Sequence, residues 1–350
     1  MLGRVMLVML CGLGFSANVF SQTADVFPGK TWEIARKEEA ANWSDAKLAA
    51  VDDYARTLQT SSYIVVQHGR IIHEYGDTAR PINLQSMRKS VMSVLTGIYV
   101  DRGVIGLDST LAQLGIDDKG GLSGTEKQAT LKQLLQGRSG VYHPGALEAI
   151  RFAGPRPQRD SFKPGEHFYY NNWDFNAVGL AFSKLTGKTV FESLHDDLAV
   201  PLQMESDNPV TDGSWVREDV SDIPAYVLRL SARDMVRVGL LMSRQGAWNG
   251  KQLVSKSWVA ESTTSYSEFS PGYLGFGYIW FVGLDHTHVS TKFLGHPRFA
   301  AIGSNGQEMI VVPDLDLVIV HNVDNERFPE GNVTDPQLGK LVGMILEAMN

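Results

Sequence analysis

From residue 91 the apolar positions Val91, Met92, Val94, Leu95, Ile98 and Tyr99 recur at a helical period, which predicts a helix running to about Gly103. Upstream, residues 32–60 read as helical, with Trp32, Ile34, Ala41, Leu48 and Val51 available to one face. Between them, Ser62 to Gln67 and Arg70 to Tyr75 are β-rich runs separated by His68-Gly69, a hairpin signal. Gly106-Leu107-Asp108 reads as a turn. From about 108 to 245 the pattern is helices and loops: Thr130 to Leu135, Trp173 to Gly187 and Ser231 to Arg244 are helical. Pro155-Arg156-Pro157 and Pro164-Gly165 punctuate that stretch. Past Asn249-Gly250 the pattern returns to strands, at Tyr273 to Val282, Ala300 to Ile302, Met309 to Val312 and the apolar run Leu317 to Val320. Leu338 to Met349 is an amphipathic helix. Strands near both ends around a helical middle predict one sheet assembled from the two termini, with a helical region inserted. The expected division is a sheet part at about 30–80 and 246–350 and a helical part at about 81–245.

Composition narrows the class. The 350 residues are 43% hydrophobic and 20% charged, ordinary values for a globular enzyme. Net charge is −7 with no long lysine or arginine cluster, which argues against a nucleic-acid or anionic-membrane partner. Residues 1–21 read as a cleaved signal peptide. Arg4 supplies the basic start, Val5 to Phe15 is an apolar core too short to span a bilayer, and small Ser21 suits cleavage before Gln22. The single cysteine, Cys11, follows Leu10, which is too large for a lipid-modification site. The expected product, residues 22–350, is periplasmic or secreted, has no stable membrane anchor and carries no disulfide, thiol nucleophile or cysteine-ligated metal.

The chemistry centres on Ser86-Met87-Arg88-Lys89, where a lysine stands three residues after a serine at a helix start. Positions i and i+3 share a helix face, so the Lys89 amine reaches the Ser86 hydroxyl. There, unpaired amides and the helix dipole favour developing negative charge. Ser44-Asp45-Ala46-Lys47 fits the same spacing and reads as a solvated helix, so context must separate the two. A serine–lysine pair also needs a proton shuttle and an oxyanion pocket. Tyr169-Tyr170-Asn171-Asn172 offers the shuttle in two registers, Tyr169 with Asn171 or Tyr170 with Asn172. No Gly-x-Ser-x-Gly occurs. His286-Thr287-His288 lacks partners at ligand spacing and reads as surface, and His296 and Arg298 read as solvated loop residues.

Taken together, Ser-x-x-Lys followed by Tyr-x-Asn resembles the serine β-lactamase and penicillin-binding-protein superfamily. The nearest likeness is to its class C-like branch, with the family VIII carboxylesterases and 6-aminohexanoate-dimer hydrolases. Gly69-Arg70-Ile71-Ile72-His73-Glu74-Tyr75, Ser86 to Gly97, Leu131 to Gly140 and Ser231-Ala232-Arg233-Asp234-Met235 are similar to strings of that branch. The likeness runs from about residue 60 to 325. The family's aromatic at +5 and glycine at +9 match Phe175 and Gly179, which selects Tyr170 and Asn172. The implied fold is α/β plus all-α, β-lactamase/transpeptidase-like. His143 and Trp173 stand beside motif positions and are expected to line the substrate pocket. No Lys-Thr-Gly occurs; Ala301-Ile302-Gly303-Ser304-Asn305-Gly306-Gln307 stands in its place. The resemblance implies that Gly303 admits the substrate and that the Ser86 and Ser304 amides form the oxyanion hole. Ser206-Asp207-Asn208 spells a class A triplet, but it follows a segment that is structural in this branch. The implied activity is hydrolysis of a small ester, amide or short peptide without metal or cofactor. D-alanyl-D-alanine carboxypeptidase, β-lactamase and a non-turnover acylated sensor are the rivals.

Overall fold

The computed structural model describes residues 26–148, 154–206, 213–284 and 295–350. The expected signal segment with Cys11, the triplet's Asp207 and Asn208, and His286 to His288 lie outside the described residues. The strands are β1 (Ser62–Gln67), β2 (Arg70–Gly76), β3 (Ile82–Asn83), β4 (Gly213–Val216), β5 (Ala225–Leu230), β6 (Ala247–Trp248) and β7 (Lys251–Gln252). They continue with β8 (Ser267–Ser270), β9 (Leu274–Phe276), β10 (Phe281–Gly283), β11 (Phe299–Ile302), β12 (Glu308–Val312) and β13 (Leu317–Asn322). Eight form one antiparallel sheet in the order β2-β1-β13-β12-β11-β10-β9-β8. Early and late segments of the chain meet where β1 pairs with β13, Ser62 opposite Asn322.

Both of these central strands are buried along their whole length, as their apolar sequences require of strands covered on two faces. Five helices set the layers: α1 (Asp45–Arg56), α2 (Met87–Asp101), α3 (Asn172–Thr186), α4 (Ala232–Ser243) and α5 (Asp335–Ala348). Cross-strand pairing puts Tyr63 and His321 on one face of the sheet and Ile64, Val318 and Val320 on the other. The Tyr63 hydroxyl donates to Asp52 of α1 at 2.6 Å, so α1, with α5 packed beside it, covers the first face. On the second face α4 lies so close that a Cβ on Gly239 would sit 2.6 Å from a Val318 methyl. The α2 helix is buried on every side from Met87 to Tyr99, the mark of a central helix. A Cβ at Gly97 would fall 2.3 Å from the Trp258 indole, on the helix Lys256–Ser262.

Several sequence expectations need correction. Of residues 32–60, only Asp45–Arg56 forms a helix of that length, capped by Ser44, whose hydroxyl accepts from the Lys47 amide. Tyr273 to Val282 is not one strand: β9 and β10 pair with each other as a hairpin turning through Gly277 to Trp280. The region at 108–245 is not wholly helical, because β4 and β5 lie within it and join β3 in a second sheet. Helix α4 falls inside the expected helical part but packs on β13, β12 and β1, so it belongs to the sheet.

Candidate active site

The approach to Ser86 is a forced turn. Strand β3 pairs with β5, and the Leu84 amide donates to the Leu228 carbonyl at 3.0 Å. Gln85 then takes a left-handed conformation at φ 48°, costly for a residue with a side chain. Asn83 supports it by accepting the Gln85 amide on Oδ1 at 2.9 Å. Ser86 follows at the N-terminus of α2, and its hydroxyl makes no capping bond.

Lys89 rises from the first turn of α2 into a fully buried position. Its Nζ lies 3.0 Å from Ser86 Oγ, 2.9 Å from Tyr170 Oη and 2.7 Å from Asn172 Oδ1. The Asn172 amide is oriented by donating Nδ2 to the Leu147 carbonyl, so Oδ1 must accept from lysine. The amine also sits 4.6 and 4.9 Å from the ring centres of Tyr170 and Phe175. Burial holds Lys89 well below the usual lysine range, and the neighbouring Arg88 charge adds to it. Burial pushes the Tyr170 phenol up to about 12, against the opposing pull of the Ser86 hydroxyl and Arg88. A neutral amine with two N–H groups and one lone pair matches one carboxamide oxygen and two hydroxyls. That arrangement can pass a proton between Ser86 and Tyr170.

Facing Ser86, β11 ends at Ile302, and past Gly303 the chain makes a short 3₁₀ turn, Ser304–Gly306. A Cβ on Gly303 would meet the Leu84 carbonyl oxygen at 3.1 Å and Gln85 Cβ at 3.3 Å, so this backbone lies against the residues leading into Ser86. Among the described residues, neither the Ser86 nor the Ser304 amide donates to a backbone carbonyl. The turn is anchored from behind: the Gly306 carbonyl accepts His321 Nδ1 at 2.6 Å, and His321 Nε2 accepts from Thr60 at 2.9 Å. Sequence reasoning missed His321, Asn83 and Gln85. None has a local signature, because each acts through a backbone group distant in sequence or in an unusual conformation.

Other expected site residues lie elsewhere. Trp173 is fully buried, its indole N–H donating to Asp118 at 2.6 Å, and His143 sits 3.5 Å from buried Glu126. Both pack the start of α3 rather than line a pocket. Tyr169 and Asn171 do not meet Lys89; Asn171 caps α3 by accepting the Trp173 amide. Arg298 is buried rather than solvated, donating to the carbonyls of Leu284 and His296, while His296 pairs with Asp314 at 2.6 Å. Among the described residues no cluster of histidine, cysteine and acidic side chains is placed to hold a metal.

The family model described as Beta-lactamase matches residues 49–343. The chain belongs to this family. A curated relative, an uncharacterised protein of Alkalihalophilus pseudofirmus, is 23% identical over 90% of this chain and 94% of its own. Among solved structures, the chain is similar to a provisionally assigned 6-aminohexanoate-dimer hydrolase from Bacillus anthracis. The TM-score is 0.63 at 20% identity, covering 84% of this chain and 80% of the other. A penicillin-binding-protein homologue from Caulobacter crescentus aligns with TM-score 0.64 at 15% identity, over 87% and 98% of the two chains. A class C β-lactamase gives 0.64 at 15%, over 87% and 97%. The fold is therefore β-lactamase/transpeptidase-like, and the protein is a member of a serine-hydrolase family built on it.

Proposed function

We propose that this β-lactamase-family protein is an exported serine hydrolase that cleaves an ester or amide through an acyl-Ser86 intermediate. The observation that carries the reading is the buried Lys89 amine, within hydrogen-bond distance of Ser86, Tyr170 and Asn172 at once. In this mechanism Ser86 Oγ attacks the substrate carbonyl while its proton passes to Lys89 and Tyr170. The tetrahedral oxyanion is held by the Ser86 and Ser304 amides. Tyr170 returns the proton to the leaving alcohol or amine, and water then releases the acyl group.

The substrate class follows from what faces the nucleophile. Gly303-Ser304-Asn305-Gly306 stands where a Lys-Thr-Gly would offer a cation to a carboxylate. A charge-assisted bond of that kind is worth about 1.5–3 kcal/mol, or roughly ten- to a hundredfold in binding. A neutral ester or amide does not require it, whereas a penicillin does. A fluorophosphonate probe with peptide mapping is expected to label Ser86 and not Ser44, and Ser86→Ala to abolish labelling. On one preparation, kcat/KM for p-nitrophenyl butyrate should exceed that for nitrocefin by at least tenfold; the reverse order refutes the substrate assignment. Sustained turnover excludes a sensor that acylates once. Export rests on Arg4, the apolar stretch Val5 to Phe15 and Ser21. N-terminal sequencing of protein from the producing cells should begin near Gln22.

A further inference from the structure

Arg88 stands beside the proposed base and has no counter-ion among the described residues. It follows Ser86 by two positions on α2 and is 3% exposed. Its Nη1 donates to the Gln85 carbonyl at 2.9 Å, and its guanidinium carbon sits 5.4 Å from the ring centre of Tyr226 on β5. Nε and Nη2 are buried and meet no acceptor among the described residues. The ionisable groups facing it are Tyr226 from β5, Tyr170 from the segment before α3, and Lys89 on its own helix. Among the described residues no carboxylate pairs with it. A buried, uncompensated guanidinium is expensive, and an apolar side chain of similar size would pack α2 without that cost.

We propose that Arg88 is a positioning residue for the Ser86–Lys89–Tyr170 relay. Its bond to the Gln85 carbonyl holds the left-handed turn that aims Ser86, and its unneutralised charge opposes a second positive charge on Lys89. This rests on Lys89 serving as the base. The geometry ties both effects to one side chain. Gln85 is the residue whose φ of 48° sets the entry into α2, and the Arg88 hydrogen bond is made to its carbonyl. Because Arg88 and Lys89 are adjacent and both buried, water screens their repulsion little. The same charge favours the phenolate of Tyr170, countering the burial that opposes it. One cation thus adds to the burial that keeps the base unprotonated and eases proton transfer through the phenol.

The test reads the rate of Ser86 labelling by a fluorophosphonate against pH, using the full chain and no substrate. Wild type should show an inflection at least one unit below the ordinary lysine range of about 10.4. Arg88→Gln keeps a donor for the Gln85 carbonyl and removes the charge. It should raise the inflection by about one unit, cutting labelling near pH 6.5 by about tenfold while changing it less than threefold near pH 10. Arg88→Lys keeps the charge and should hold the inflection while lowering the rate equally at all pH. An Arg88→Gln profile scaled down uniformly with an unmoved inflection overturns the charge role. Where circular dichroism shows Arg88→Gln unfolded, Arg88→Met, apolar and of similar size, takes its place, and an inflection unmoved from the wild type overturns the charge role. A wild type that is not labelled at Ser86 defeats the hydrolase reading, and this proposal with it. A labelled wild type with an unmoved Arg88→Gln inflection defeats the role of Arg88 alone.

Discussion

At the scale of single residues, two adjacent tyrosines with nearly the same burial are separated only by where their hydroxyls end. Tyr170 Oη meets Lys89, walled by Phe175, Phe269, Phe276 and Phe281 at ring separations of 4.9–6.1 Å. Tyr169 instead sits edge-on to Tyr142. Tyr170→Phe should therefore lose about 10²–10⁴ in kcat with KM little changed, the usual cost of removing a proton shuttle. Tyr169→Phe should stay within about threefold, as steady-state kinetics on the same ester would show. The pair Ser86 and Lys89 was legible because helix spacing alone brings i and i+3 together. The Tyr170 register was not settled by spacing, since both tyrosines carry an asparagine two residues on. It needed the family's aromatic and glycine positions at Phe175 and Gly179.

Elements were legible where a period persists and obscure where backbone conformation is imposed from outside. The hairpin β9–β10 reads as one strand because its turn, Gly277 to Trp280, holds bulky residues and no Asn-Gly. Ile279 takes φ 60°, a strained state for a β-branched residue. It is held by bonds that no local pattern encodes: its amide donates to the Leu135 carbonyl, and its own carbonyl accepts Ser90 Oγ at 2.8 Å. The short strands β4 and β5 gave no clear alternation because β5 is buried almost throughout. Two glycines fix how α2 and β11 sit. Gly97→Ala forces a methyl into the Trp258 indole and should cost about 1–3 kcal/mol, seen as a lowered thermal midpoint with kcat per folded molecule retained. Gly303→Ala asks only a few tenths of an ångström from Leu84 and Gln85. Its expected signature is the opposite, a kcat loss of about tenfold or more with a small change in melting, because the proposed oxyanion donors are displaced.

For the molecule as a whole, acid stability should run through the strand at its centre. Burial holds His321 down to about 4, with Nδ1 committed to the Gly306 carbonyl. Opposite it on β12, burial pushes the Glu308 carboxyl up to about 7, so that partner is uncharged where His321 matters. The folded state therefore keeps His321 neutral while the unfolded chain takes up a proton below about 6.5. The His321 contribution is full above that pH and is lost as pH falls from about 6.5 toward 4, whereas the raised Glu308 carboxyl contributes with the opposite sign, its stability lost as pH rises from about 4.5 toward 7. The two nearly offset in the wild type between about pH 4.5 and 6.5, so in thermal melts across pH 4–7.5 Glu308→Gln should show a midpoint that falls with acid, and His321→Asn one that falls as pH rises. A Glu308→Gln melting midpoint flat across that range rules the idea out.

The sheet that unites early and late strands also sets when the enzyme comes into being. Ser86 leaves the ribosome long before Ser304, and β1 waits for β13 before its second edge is filled. Contacts this far apart in sequence make for slow folding, on the order of milliseconds to seconds or longer after synthesis. Until then a nascent chain holds Ser86 and Lys89 without the proposed oxyanion hole, so under the proposed function it cannot attack esters around it. A polypeptide that folds this late also remains threadable through a translocation pore, which suits the export proposed for it.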